Sequence, residues 1–129
     1  MAKVNAKGRT KKLTFVMLTH QLMDSPAYRS LSPSSRAVYL QIIRLYNGYN
    51  NGDINLGCRD AGELCNISKN TAAICFQELT EKGFIKIGRD SSFNVKTRKS
   101  RSWILTNQPL KNTPPTNEWI KWRPALKKK

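Results

Sequence analysis

The sequence predicts a mainly α fold with a small β-hairpin, and three observations predict it. Apolar residues recur at helical spacing in two long stretches, 33–46 and 68–82. A shorter helical stretch, 59–65, is joined to the second of these by a tight turn at Asn66-Ile67. After Gly83 the period changes from 3.6 to 2, first in Phe84-Ile85-Lys86-Ile87 and again in Arg101-Ser102-Trp103-Ile104-Leu105. The chain has 129 residues, enough for one domain. A domain of that size hides roughly two thirds of its unfolded surface, so a core forms without disulfides or metal.

Each element has a local cause. Leu13, Phe15, Val16, Met17 and Leu18 form an extended lead-in, and a turn of helix follows around His20–Met23. Ser25-Pro26 and Ser32-Pro33 each pair an N-cap serine with a proline at the first helical position, where its missing N–H costs nothing. They start a short helix over Pro26–Leu31 and a longer one from Pro33 to about Tyr46. Val38, Ile42 and Leu45, with Tyr39, Ile43 and Tyr46, give the longer helix a broad apolar face. Asn47-Gly48 ends it, Asn50-Asn51-Gly52-Asp53 is a polar turn, and Ile54-Asn55-Leu56 fits a short strand. Arg59 to Cys65 reads as a helix with Ala61, Leu64 and Cys65 apolar. Ser68 caps a helix to about Lys82, closed by Gly83. Its Ala72, Cys75, Phe76 and Leu79 form one buried stripe, and the opposite face shows Lys69, Asn70, Ala73, Ile74 and Gln77.

The formal net charge is +15, from 23 basic and 8 acidic residues. The excess lies at the two ends. Residues 1–12 carry Lys3, Lys7, Arg9, Lys11 and Lys12 with no acid, and 86–129 hold only Asp90 and Glu118 as acids. A balanced middle folds without self-repulsion while the flanks project a positive field toward a polyanion. Nucleic acid fits better than membrane, because no basic amphipathic helix with a large apolar face is present. The apolar runs are too short for a transmembrane helix or a signal peptide. A cytoplasmic protein with three reduced cysteines is therefore expected.

Helix, short strand, helix, tight turn, helix and hairpin is the element order of a winged helix-turn-helix. A buried stripe fixes the second helix of the pair, and its outer face enters the major groove. The candidate DNA-binding residues are Lys69, Asn70, Thr71, Ala73, Ile74 and Gln77 on that helix. Asn and Gln pair in bidentate fashion with adenine, while Lys69, at the helix start, suits a phosphate. Thr71 fits a helix-start role equally well. The wing, 89–101, supplies Arg89, Lys96, Arg98, Lys99 and Arg101 for phosphate or minor-groove contact. The partner this implies is double-stranded DNA. No heptad advertises a dimer, so monomer and homodimer stay open.

Thr14 to Thr106 resembles the winged-helix domain of phage and plasmid replication proteins of the protein O type, and related stand-alone helix-turn-helix proteins of mobile elements. The likeness rests on Phe15-Val16-Met17-Leu18, on Leu31-Ser32-Pro33-Ser34-Ser35-Arg36-Ala37-Val38-Tyr39-Leu40, and on Tyr46-Asn47-Gly48-Tyr49-Asn50-Asn51-Gly52-Asp53-Ile54. It continues in Ser68-Lys69-Asn70-Thr71-Ala72 and in Glu78-Leu79 through Lys82-Gly83-Phe84-Ile85. It implies duplex DNA binding, in a transcription regulator or a replication-initiation factor. The chain departs from that family at Ile74, where a basic residue is common. Ile74 suits a thymine methyl or a protein contact instead.

The domain organisation expected is a basic arm over 1–12, the winged domain over 13–106, and a Pro/Trp/Lys-rich tail over 107–129. Trp119 and Trp122 suit either packing back on the domain or docking to another protein. The rival function from another class is accordingly an adaptor that binds a replisome, polymerase or host-defence component through the winged fold and this tail. Catalysis is not expected. His20 is the only histidine, and no phosphate-cradling loop or magnesium-holding acidic cluster is present. Cys58, Cys65 and Cys75 lack zinc-ligand spacing, so neither metal nor cofactor is expected.

Overall fold

Hydroxyl caps set most of the helix starts. In the computed structural model, which describes residues 13–89 and 101–124, the Thr19, Ser25, Ser32 and Ser68 hydroxyls each accept a backbone N–H from the first turn beyond them. The helices that follow are α1 His20–Met23, α2 Pro26–Ser30, α3 Pro33–Leu45 and α5 Lys69–Glu81. Between the last two lie β1 Ile54–Asn55 and α4 Cys58–Cys65. After them come β2 Ile85–Arg89, β3 Ser102–Leu105 and a 3₁₀ turn Glu118–Lys121. The described residues form a mixed α/β fold of five α-helices and one antiparallel sheet.

The sheet has three strands in the order β1-β3-β2, not the two of a bare hairpin. Ile54 pairs with Trp103 and Asn55 with Ser102. Asn51 makes this third strand possible. Its amide nitrogen donates to the Leu105 carbonyl at 3.0 Å, and its side-chain oxygen accepts the Leu105 N–H at 2.7 Å. The register of β2 on β3 shifts between Ile87 and Arg89. Gly88 sits at that bulge, where a Cβ would stand 2.5 Å from the Gly52 carbonyl oxygen. Only glycine lets the two backbones approach so closely.

Element limits follow local chemistry. Leu31 is extended at φ −65°, ψ 141°, so α2 stops at Ser30 rather than Leu31. Helix α4 begins one residue early, at Cys58, without a side-chain cap. Phe84 is buried ahead of β2 instead of opening it. Leu64 is 57 % exposed, because the buried side of α4 centres on Ala61 and Gly62 and Leu64 turns away.

The core gathers Val38, Tyr39 and Ile42 of α3, Ala72, Cys75, Phe76 and Leu79 of α5, and Ile85, Trp103 and Leu105 of the sheet. Phe84 joins these layers. Its ring centroid lies 5.2 Å from that of Tyr39 and 6.3 Å from that of Trp119, the latter pair being parallel to within 1°. Trp119 is therefore a core residue, and residues 106–122 fold back on the domain. Thr106 holds the return: its hydroxyl donates to the Gly83 carbonyl at 2.6 Å, and its own carbonyl accepts the Asn117 N–H at 2.9 Å. Trp122 is half-buried under Lys82, whose Nζ lies 4.9 Å from the ring centroid.

Glu78 couples α5 to the start of α3. Its carboxylate accepts from the Ser35 hydroxyl, from the Ser32 N–H at 3.4 Å and from Lys82 Nζ at 2.8 Å. Partial burial pushes its pKa up, but the hydrogen bonds from Lys82, Ser35 and Ser32 outweigh that and hold it below the usual carboxylate range.

Candidate nucleic-acid interface

Helix α5 buries Ala72, Cys75, Phe76 and Leu79, which fixes what its other side presents. Residues at i, i+4, i+7 and i+11 fall opposite that stripe: Asn70, Ile74, Gln77 and Glu81. All four are exposed. Ile74, at 65 % exposure, is an apolar side chain in the middle of a polar ridge. Lys69 is exposed in the first turn and Ala73 is exposed beside the ridge.

Thr71 belongs to the cap and not to the ridge. Its N–H donates to Ser68 Oγ at 3.0 Å, and its hydroxyl accepts from the same Ser68 Oγ at 2.9 Å. It is half-buried, and its side chain is committed to the start of α5. The turn before it is tight because Asn66 takes the left-handed conformation, φ 58°, ψ 47°.

Between α5 and the hairpin runs a groove of about 670 Å³. Ala73, Gln77, Thr80 and Glu81 line it from the helix, and Ile87 and Arg101 from the hairpin. Its floor is the Phe76–Trp103 stack, with centroids 4.7 Å apart and planes within 6°. The Arg101 guanidinium lies 6.0 Å from the Trp103 ring centroid and is exposed. Arg89 ends β2, paired by its backbone with Ser102. Lys96, Arg98 and Lys99, the remaining expected wing cations, lie outside the described residues.

The structure thus brings together Lys69, Asn70, Ala73, Ile74 and Gln77 on one surface and sets Arg101 across a groove from them. It adds Glu81, which the sequence reading passed over. The same helical spacing that marks Asn70, Ile74 and Gln77 reaches Glu81. An acid simply does not stand out when cations and amides are sought against a polyanion. Gln77 Nε2 donates to Glu81 Oε2 at 3.3 Å. Among the described residues the two ion pairs are Lys82–Glu78 and Lys86–Glu118, so Glu81 has no cationic partner there.

Among the described residues no group of three His, Cys, Asp or Glu side chains is placed to hold a metal ion. The three cysteines are free thiols, with Cys75 buried and Cys58 and Cys65 half-buried. Burial, with a smaller contribution from Cys75, pushes the Cys65 thiol up. Among the same residues no helix is long and apolar enough to cross a membrane. Compared with protein-family models, with curated proteins and with solved structures, the chain gives no match.

Proposed function

We propose that the chain is a winged helix-turn-helix protein that binds specific double-stranded DNA. In this reading α4 and α5 are the helix pair, α5 is the recognition helix, and the β2–β3 hairpin is the wing. The observation that carries it is the outward ridge of α5. Asn70 and Gln77, two amide side chains suited to base edges, stand exposed on a helix whose rotation is fixed by its buried stripe. The hairpin beside that ridge carries five cations in its connecting segment and flanks, Arg89, Lys96, Arg98, Lys99 and Arg101, against the single acid Asp90. Phosphate contacts from such a wing position the helix, and base contacts from the ridge specify the sequence. The resemblance to replication proteins of the protein O type supports a role at a phage or plasmid promoter or origin, as transcription regulator or replication-initiation factor.

The adaptor reading draws less support. It uses Ile74 and the Trp119–Trp122 tail, and of these Ile74 is exposed, but Trp119 is 4 % exposed and stacked on Phe84 and Trp122 is half-buried.

Binding of the full chain to a duplex, measured across salt concentrations, tests the electrostatic part. With about six cations on phosphates, log affinity falls against log salt with a slope near −5. A slope close to zero overturns it.

A further inference from the structure

The DNA-facing ridge proposed above ends in a carboxylate, which calls for an explanation. Glu81 is exposed, faces the same way as Asn70, Ile74 and Gln77, and lines the groove against the hairpin. Among the described residues it has no ion-pair partner. Next to a polyanion, an uncompensated carboxylate weakens binding to every sequence alike. It is favourable only opposite a group that donates to it.

Its side-chain hydrogen bond among the described residues narrows what that group is. A carboxylate only accepts, so the Gln77 amide must turn its nitrogen toward Glu81, as it does at 3.3 Å. One of the two Gln77 N–H bonds is thereby used, and Gln77 Oε1 is left directed away from Glu81 as an acceptor. The pair therefore presents two acceptors, Gln77 Oε1 and the carboxylate, together with the second Gln77 N–H. In the major groove, guanine shows two acceptors, O6 and N7, and thymine shows the O4 acceptor and a methyl. Adenine sets its N6 donor beside the N7 acceptor. Cytosine shows the N4 donor and no acceptor on its own edge. Cytosine therefore gives its N4–H to the carboxylate or to Gln77 Oε1, and adenine gives its N6–H to Oε1 while its N7 takes the second Gln77 N–H, whereas guanine and thymine offer no donor there.

We propose that Gln77 and Glu81 act together as a base-selecting pair that favours a base with an exocyclic amine donor in the major groove, cytosine or adenine, facing the C-terminal half of α5. This rests on the DNA-binding reading. Glu81 then lowers affinity for non-target duplex while raising discrimination at one position.

The test is selection from a random duplex library with the full-length wild-type chain, Glu81→Gln and Gln77→Ala, followed by sequencing. Both side chains are exposed, and unchanged thermal melting of the variants verifies that they fold. The expected wild-type motif contains a position where cytosine or adenine is favoured over guanine and thymine about tenfold. Glu81→Gln loses that preference at that position alone and binds a scrambled duplex a few-fold more tightly. Gln77→Ala disturbs the same position. The proposal is overturned if Glu81→Gln selects the wild-type motif unchanged, or if guanine or thymine is preferred there. Salt-sensitive wild-type binding without any motif overturns it too, with the DNA reading left standing. A wild-type chain that binds no duplex overturns both.

Discussion

The Phe76 ring of α5 lies flat on the Trp103 ring of β3, centroids 4.7 Å apart and planes within 6°. Trp103 is itself pinned, because its indole N–H donates to the Leu56 carbonyl at 3.0 Å. The stack sets the angle of α5 about its own axis relative to the hairpin. It thereby decides which residues of α5 point outward. Trp103→Ala removes the floor of the groove and a buried hydrogen bond, and costs about 3–5 kcal/mol by chemical denaturation. A loss under about 1 kcal/mol would mean that the stack is not the joint between the two elements.

Glu78 makes stability depend on acid. Its folded pKa is held below the ordinary 4.5 by the Lys82, Ser35 and Ser32 hydrogen bonds, which outweigh the effect of its partial burial. A carboxyl depressed in the folded state contributes stability that is present above the unfolded pKa and lost as pH falls through the folded one. Glu78→Gln removes that dependence and costs about 1–3 kcal/mol at neutral pH. Denaturation of both proteins between pH 2 and pH 7 shows the gap closing at the acid end. A gap that stays constant across that range refutes the assignment.

Gly83 is where the returning chain seats. Its φ is +87°, and a Cβ there would stand 2.7 Å from the carbonyl carbon of Glu118 and 2.8 Å from the Trp119 nitrogen. Gly83→Ala therefore combines a strained backbone with a backbone clash. It costs roughly 1–3 kcal/mol for the strain alone. The cheaper escape is for residues 117–119 to lift off, which takes Trp119 from its place on Phe84. A red-shifted tryptophan emission in Gly83→Ala, absent from a Gly48→Ala control that has open space around it, is the expected signature.

Tyr39 works in the opposite direction at high pH. Burial, with a smaller contribution from Tyr28, raises its phenol well above the ordinary 10.0, and its hydroxyl has no partner among the described residues. A raised pKa means stability that is complete below the unfolded value and lost as pH climbs toward the folded one. The protein should weaken above about pH 10, and Tyr39→Phe should flatten that decline. Because the buried hydroxyl is unpaired, Tyr39→Phe at neutral pH should be neutral or raise the melting temperature. A marked fall would show that the hydroxyl is satisfied in solution.

The helices were legible because their signals are local. A serine before a proline, a capping serine before Lys69, and apolar residues at helical spacing mark α2, α3 and α5 within a few positions of sequence. What was less legible depends on partners far away in the chain. The pairing of β1 with β3 hangs on Asn51, whose amide bonds Leu105 across 54 positions. Nothing near Asn51 announces it. The two alternatives for Trp119 could not be separated without knowing that Phe84 would offer it a parallel ring. On the candidate interface, Asn70, Ile74 and Gln77 follow from the buried stripe by geometry alone. From sequence Thr71 fits a DNA contact or a helix start equally well, and its hydrogen bonds to Ser68 place it in the cap. Glu81 was missed because its chemistry, not its spacing, ran against the charge of the chain.

The proposed contact of α5 with DNA is through one defined face. The direct measurement is backbone amide NMR of the isotope-labelled full chain, titrated with a duplex it selects. The expected shifts concentrate in Lys69 to Glu81 and around Arg101, with the α1–α2 side of the domain unmoved. Shifts centred on residues 13–30 instead, with α5 silent, would contradict it.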